Sequence, residues 1–368
     1  MKAKNSGFFI LAALLLIGAI ACKTTPPAEP PPPVEEVIVQ NPDLLPPDQA
    51  SLNNLNNLIA RSDSARKMVQ DFNGPALLPA DWNAAEALNT AAVNGKKTAT
   101  VKDVRDSTAL YTASATAYEA LADKTIPMYA DALSNDVMAA RDVAINAAAS
   151  YLVPEYLQGT DDFALAAWDK YQAKDYYGAK DDGLLVKDAY GVLATGVQAY
   201  QVRLDIQDRD FVYYDQANIA AADDIALSAL DDYEAHNIAS AGPKATDVLA
   251  RYKQSFAKAQ ESFSADSMAS ANVERQKALD IKANVAVKSD FDAADAIYNQ
   301  GTAAAQSRNF DQSANLFIQA KTMFSAATAS ATDKRNIAEA GLRAAEQKMV
   351  ESDEAAQRAE LIIEGGSR

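Results

Sequence analysis

Residues 301–324 read GTAAAQSRNFDQSANLFIQAKTMF, and this stretch indicates the fold class most clearly. Small residues fill its first part, Arg308-Asn309 interrupts them, and Phe310 opens a second segment. This second segment carries a stripe at i, i+4, i+7 and i+11, made of Ser313, Phe317, Ala320 and Phe324. Such a stripe is one face of an α-helix. The stretch therefore predicts two helices joined by a tight corner.

Features similar to this corner and this stripe occur earlier in the chain. Lys174-Asp175-Tyr176 resembles the corner at Arg308, whereas the first and third repeats offer no clean corner of this kind. Ala140-Arg141 repeats the earlier pair Ala65-Arg66. The apolar stripe aligns with two earlier ones, through Ala245, Leu249, Tyr252 and Phe256, and through Ala179, Gly183, Val186 and Tyr190. We therefore predict four degenerate repeats of roughly 66–75 residues.

The predicted boundaries divide the chain into a leader, a tether, the repeats and a C-terminal segment. The leader is 1–21, the tether 22–50, and the repeats lie at about 51–125, 126–208, 209–274 and 275–345. Residues 346–368 are charged and rich in alanine, and we interpret them as a capping helix and tail. A partner-binding coiled coil is the alternative for this last segment.

Composition supports an all-α fold. Alanine, the best helix former, is abundant, and the chain has 14 glycines in 368 residues. No segment of the repeats shows sustained apolar–polar alternation. We expect an elongated, solenoid-like array in which long and short helices alternate. Pro127 and Pro243 are expected at helix starts, where proline costs little.

The corner and its two helices resemble the tetratricopeptide repeat. In the fourth repeat the match covers about 34 residues, the length of one tetratricopeptide unit, and in the second it covers fewer. The period departs from that family, because each repeat here is about twice as long as one such unit. The resemblance implies helix pairs and supplies no catalytic residue.

The N-terminus carries an export signal. Lys2 and Lys4 precede an apolar run from Phe8 to Ala21, which is too short to span a bilayer comfortably. Ala19-Ile20-Ala21-Cys22 then resembles the bacterial lipobox, in which the cysteine is acylated, although Ala19 stands where leucine is usual. Cys22 is the one cysteine of the chain. Lipidation of Cys22 is therefore the prediction, and an ordinary cleaved signal or an uncleaved anchor is the alternative.

The segment after Cys22 is rich in proline. Nine of the 14 prolines precede residue 48. Because proline lacks an N–H donor and fixes φ, this segment favours an extended tether over a helix. A polyproline II stretch over 23–47 would reach roughly 75 Å. The alternative is a leader whose length has no function.

Most of the mature chain is similar to the alanine-rich helical lipoproteins of unknown function found in spirochaetes such as Treponema and in many Gram-negative bacteria. The resemblance rests on the lipobox, the Ala-Arg helix, the turn at Pro79 and Pro154, and the tetratricopeptide-like helix pair. It implies an all-helical lipoprotein of the periplasm or cell surface, and the outer membrane is expected rather than the inner membrane.

Charge and composition exclude several functions. Loss of Lys2 and Lys4 with the leader changes the formal charge from −16 to −18. So acidic a chain is not expected to bind nucleic acid. With one histidine, His236, and no catalytic motif, we predict no enzyme activity, no metal and no cofactor. His236 is interpreted as a surface cap. The acidic pairs are interpreted as helix caps and solvated faces; they are Asp161-Asp162, Asp181-Asp182, Asp223-Asp224 and Asp231-Asp232.

Tyrosine is concentrated in the second and third repeats. Eleven of 15 tyrosines lie between residues 151 and 252. Most are expected to pack in the core, but adjacent tyrosines on a helix cannot both face one core. Tyrosine is enriched at binding surfaces. We therefore predict a partner surface at Tyr176, Tyr177, Tyr213 and Tyr214.

These features favour a membrane-anchored, non-catalytic scaffold that binds a protein or peptide. Lipid would hold it through Cys22, and the repeats would hold the partner. Two alternatives remain open at this point. One is a solute-binding lipoprotein that serves a transporter, and the other is a structural spacer of the cell envelope.

Overall fold

The computed structural model describes residues 40–365, with side chains to Ile363. The predicted leader, Cys22 and the tether as far as Val39 lie outside the described residues. The part of the chain that is described contains helices and no strand. The prediction of an all-α helical-repeat array is therefore confirmed.

Twelve α-helices and two 3-10 turns make up the described chain. The α-helices are α1 Gln49–Asp71, α2 Gly74–Leu77, α3 Pro79–Gly95, α4 Val101–Asn146, α5 Ala149–Leu152, α6 Pro154–Gln172, α7 Tyr176–Asp208, α8 Gln216–Glu234, α9 Ile238–Asp280, α10 Ala283–Ala286, α11 Lys288–Gln306 and α12 Phe310–Gly365. The 3-10 turns are Pro42–Leu44 and Phe211–Tyr214.

A left-handed residue marks the same turn in every repeat. Asn73, Ala148, Asp210 and Lys282 have φ of 61°, 71°, 58° and 61°, and each is followed by one short helical turn. These four residues therefore define how the repeats align with one another. A second left-handed residue forms the corner between the short and the long helix of repeats two to four; these are Lys174, His236 and Arg308.

The register set by these turns corrects the predicted alignment of the stripes. Gly183 corresponds to Ala245 rather than to Leu249, and Leu249 corresponds to Lys321 rather than to Phe317. Both predicted alignments are therefore displaced by about one helical turn. The alignment of repeat two with repeat three is displaced in one direction, and that of repeat three with repeat four in the other. A displacement of one turn keeps a stripe on the same helix face, which is why the error leaves the pattern intact.

The third repeat has a clean corner at His236, contrary to the prediction that it has none. One residue separates the left-handed residue there from the start of α9, as at Lys174 and Arg308. His236 itself is exposed at a helix end, as predicted.

The two prolines expected at helix starts lie inside helices. Pro127 falls within α4 and Pro243 within the second turn of α9. Proline removes one backbone donor in either place. The long helices tolerate this loss because packing along their length, rather than local propensity, stabilises them.

The chain divides into two compact units, and the helices α1, α3 and α4 contribute residues to both. The described residues of the first unit are 40–63 and 86–116. Its core contains Leu55, Ala92, Val104 and Tyr111. The buried hydroxyl groups of Ser62 and Ser114 lie 2.8 Å apart in this unit. Arg105 forms a bidentate ion pair with Asp43.

The second unit comprises residues 64–85 and 117–365 of the described chain. Each short helix packs on the long helix that follows it: α6 on α7, α8 on α9, and α11 on α12. The long helices also pack on one another in order, α7 on α9 and α9 on α12. The last part of α7 and of α9 therefore packs within the next repeat.

α12 extends beyond its last packed residue. Ala331 is buried, and the side chains from Thr332 to Ile363 are exposed apart from Glu339, which is half-buried. The predicted C-terminal segment begins within α12, which runs unbroken to Gly365, and its last residues, 366–368, lie outside the described residues. Among the described helices, none has the length and apolar character that crossing a bilayer requires.

Candidate functional site

One carboxylate joins three helices in the second repeat. Asp161 on α6 accepts two hydrogen bonds from Arg141 on α4, from Nε at 2.7 Å and from Nη2 at 2.8 Å. The hydroxyl of Tyr190 on α7 donates a third hydrogen bond to Asp161. The two hydrogen bonds from the arginine to the carboxylate are of a kind that is among the stronger ones in proteins, because both partners are charged.

The charges within this cluster shift one another's pKa values. The Arg141 guanidinium holds the pKa of Asp161 below its usual value, against the opposing effect of burial. Burial, reinforced by the hydrogen bond to Asp161, raises the pKa of Tyr190. Asp161 is therefore a carboxylate and Tyr190 a neutral phenol at neutral pH, and neither group is poised for proton transfer.

The third repeat contains the same cluster at the equivalent positions. Arg203 donates to Asp223 at 2.8 and 3.1 Å, and Tyr252 donates to the same carboxylate. The interpretation of Asp161 and Asp223 as caps or solvated faces is therefore wrong; both lie inside helices and bind arginine.

The other two repeats keep part of the cluster. In the fourth repeat Arg275 donates to Asp295, and Phe324 takes the tyrosine position. In the first repeat Arg66 and Glu86 stand at the same separation in the sequence. An arginine and an acid 20 residues apart therefore recur in all four repeats, and hydrogen bonds join them in repeats two to four, whereas the tyrosine belongs to repeats two and three.

A groove opens beside the cluster of the second repeat. It has a volume of about 490 Å³ and is lined mainly by apolar side chains of α4, α6 and α7, together with Arg141, Asp161 and Tyr190. Small residues create the space: Ala164, Ala167 and Gly183 line it. We call this the repeat-two groove.

Large side chains form its lip. Trp168 is 51 % exposed and stacks on Tyr171, with ring centroids 5.2 Å apart. Leu165 and Met138 line the same groove and are also largely exposed. Exposed apolar groups at the edge of an apolar groove are typical of a surface that binds another molecule.

The third repeat has a corresponding groove of about 380 Å³, which we call the repeat-three groove. Its lining places Leu230 at the Trp168 position, Tyr233 at the Tyr171 position and Ala245 at the Gly183 position. Arg203 also lines it, and the Nη1 atom of Arg203 is buried without a hydrogen-bond acceptor.

In the fourth repeat, aromatic side chains fill the equivalent space. Tyr298 stands at the Ala226 position and Phe317 at the Ala245 position, and their rings lie 5.2 Å apart. Gly301 replaces Ala229, and a Cβ there would meet the Phe317 ring at 3.0 Å. The grooves of repeats two and three therefore depend on small residues at these positions.

The four predicted tyrosines do not form one surface. Tyr176 lines the repeat-two groove, whereas Tyr177 lies outside it and donates to Asp71 at 2.8 Å. Tyr213 is 84 % exposed and Tyr214 donates to Asp266, and neither lines a described groove. The expectation that one tyrosine of each pair is exposed holds for Tyr177 and Tyr213.

Sequence reasoning missed the residues that define the grooves, above all Trp168, Arg141 and Gly183. The constant separation between each arginine and its carboxylate, which is 20 in repeats two to four, was a signal that could have found Arg141, whereas no such spacing marks Trp168 or Gly183. No group of three or more candidate metal ligands occurs within residues 40–365. Comparisons with known proteins return no matching family model, no similar curated protein and no similar solved structure.

Proposed function

We propose that this chain is a lipid-anchored envelope protein whose helical repeats bind another protein or a peptide without chemistry of their own. The observation that carries the proposal is the pair of apolar grooves at equivalent positions of repeats two and three. A single partner segment could place one apolar side chain in each groove. Repeated grooves of this kind suit an extended or helical ligand better than a compact one.

The chemistry of the partner follows from the lining. Aromatic and aliphatic side chains would enter the grooves, because the side chains that line them are mainly apolar. Because loss of the leader would leave a formal charge of −18, a partner with basic residues around its apolar anchors would be attracted and oriented.

Site-specific photo-cross-linking in cells tests this proposal. A photoreactive phenylalanine analogue replaces Trp168, Leu230 or Thr302, which hold the same position in three successive repeats. We expect protein adducts from positions 168 and 230 and none from position 302, where the space is filled. Equal adducts at all three positions, or none at any, would contradict the proposal.

A matched variant fills one groove with the side chains of the fourth repeat. The changes Ala226→Tyr, Ala229→Gly and Ala245→Phe copy Tyr298, Gly301 and Phe317 into repeat three. We expect the adduct from position 230 to disappear while the adduct from position 168 and the melting temperature remain. Persistence of the adduct at 230 would show that the groove does not hold the partner.

Solute binding is the second candidate, and the size of the repeat-two groove favours it. A volume of about 490 Å³ lies within the range of small-molecule sites. In that case native mass spectrometry would detect a small ligand on the purified chain. The changes Ala164→Tyr, Ala167→Gly and Gly183→Phe, which would fill the repeat-two groove, would abolish binding of that ligand.

The anchor has a separate test. Cys22→Ala should move the chain from the membrane fraction to the soluble fraction, because acyl chains would supply the attachment. Unchanged fractionation would argue against lipidation of Cys22 while leaving the binding proposal to its own experiments.

A further inference from the structure

The last segment of α12 offers an unpaired helix face, and its sequence indicates what covers it. We call residues 332–365 the α12 overhang. Before it, α12 buries a seam with alternating spacings of four and three residues, made of Ser313, Phe317, Ala320, Phe324, Ala327 and Ala331. Such spacing is the a and d pattern of a heptad repeat.

The same heptad register continues through the overhang. Its first d position, Lys334, donates to the Ala286 carbonyl of its own chain at 2.9 Å. Beyond it the a positions are Ala338, Ala345, Ser352 and Ala359, and the d positions are Gly341, Lys348, Ala355 and Ile362. The neighbouring e positions are Leu342, Met349, Ala356 and Ile363. Leu342, Met349 and Ile363 are each at least 65 % exposed. A face that is suited to packing against a helix therefore lies in solvent.

We propose that the α12 overhang pairs antiparallel with the same segment of a second copy of this chain. In this register Ser352 packs against the partner's Ala355, and Ala345 against the partner's Ile362. On one flank Met349 lies beside the partner's Ala356, and Leu342 lies beside the partner's Ile363. Small a residues allow the two helices to approach closely, and the e residues supply the larger apolar contacts.

Charge complementarity favours this arrangement. The g positions Glu351 and Arg358 face each other across an antiparallel pair, so the twofold axis creates the contact twice. Within its own chain Arg358 has a loose contact of 3.9 Å with Glu354. A parallel pair would instead place Lys348 against the partner's Lys348 within the seam. The antiparallel pair places Lys348 against the partner's Ala359.

The length of the overhang also suits this pairing. Gly365 of one chain would lie opposite the partner's Leu342, which gives an overlap of about 36 Å at ~1.5 Å per residue. The packed part of α12 ends earlier, at Ala331. The second copy therefore meets the overhang and stops short of the partner's buried seam.

Thiol cross-linking of the full chain in cells tests the register. Ala356 is an e position within one helical turn of the twofold axis, so the two copies of Ala356 come close on the same flank of the pair, whereas Gln357 is an f position that faces away from the partner. With a short bis-maleimide we expect Ala356→Cys to give a covalent dimer and Gln357→Cys to give the background level. The unmodified chain, which contains Cys22, supplies that background.

Charge reversal in the Ala356→Cys chain tests the orientation. Adding Glu351→Arg turns both g contacts from attractive to repulsive, so we expect the cross-linked fraction to fall by roughly tenfold. Adding Arg358→Glu as well should restore it. Equal cross-linking of Ala356→Cys and Gln357→Cys, adducts to a different protein, or no restoration by the double reversal would each overturn the proposal.

Discussion

The carboxylate of Asp161 stabilises the second repeat because its three hydrogen bonds come from two other helices. Removing either side of such a pair leaves the other side without its partner. The side chain of Arg141 is 40 % exposed, so solvent screens part of this interaction. Its contribution is therefore modest in each repeat, but it recurs from repeat to repeat and fixes the register of the short helix.

We expect Asp161→Asn to lower the free energy of unfolding by about 1 kcal/mol at pH 7. Because the pKa of Asp161 is lowered in the folded chain, its stabilisation is present above the ordinary value of 3.8. It is lost as the pH falls below 3.8 through the folded pKa. The difference between the chains should therefore shrink in urea titrations at pH values below that ordinary pKa.

The adjacent Asp162 provides the control. Asp162 is exposed and accepts a hydrogen bond from Gln158 on the same helix. Asp162→Asn should change stability far less at either pH. If both variants lost the same stability, the contact with Arg141 would not be the cause.

The elements are joined by unusual corners. Seven residues other than glycine adopt positive φ in the described chain, and no described glycine does. A left-handed conformation costs an L-residue roughly 1 kcal/mol. The repeats therefore fold against a small local strain at each turn, which the packing of the helices on either side offsets.

Replacement of Arg308 by glycine tests this strain. We expect Arg308→Gly to stabilise the chain by about 0.5 kcal/mol, because glycine adopts the observed φ of 58° without steric cost. Arg308→Ala removes the same side chain but keeps the strain, and it should not stabilise. Thermal unfolding of both variants decides the question, and equal melting temperatures would argue that the corner is unstrained.

Sequence patterns predicted the helices, the number of repeats and the corners at Lys174 and Arg308. The sequence patterns failed to align the repeats correctly, because an alignment displaced by one helical turn matches the same apolar pattern. A displacement by one turn preserves a stripe, so the pattern aligns Gly183 with Leu249 instead of Ala245. The grooves were unpredictable for the same reason, since they depend on which small residue faces which large one across two helices.

In the second compact unit, each helix packs mainly on helices of its own repeat and of the adjacent repeats. α9 packs on α7, α8 and α12, and the described contacts run mainly between adjacent repeats. In such arrays stability is approximately a sum of local and nearest-neighbour contributions. A defect in one repeat should therefore be felt next to it and fade with distance along the chain.

We expect Phe324→Ala to show this locality. Phe324 is fully buried in the fourth repeat, and its loss should cost about 3–5 kcal/mol there. Hydrogen exchange should accelerate in α11 and α12 and remain unchanged in α6. Ile318→Ala, at a partly exposed position of the same helix, is the control. Uniform acceleration in all helices would indicate one cooperative unit instead.

Because the long helices are shared between repeats, they determine where the chain can be cut into fragments. α7 begins in one repeat and completes the core of the next, as does α9. A fragment cut at a loop would therefore carry a helix whose second half lacks its neighbours. Duplication or exchange of a repeat by recombination would succeed best with junctions in the middle of a long helix, where no corner marks the boundary.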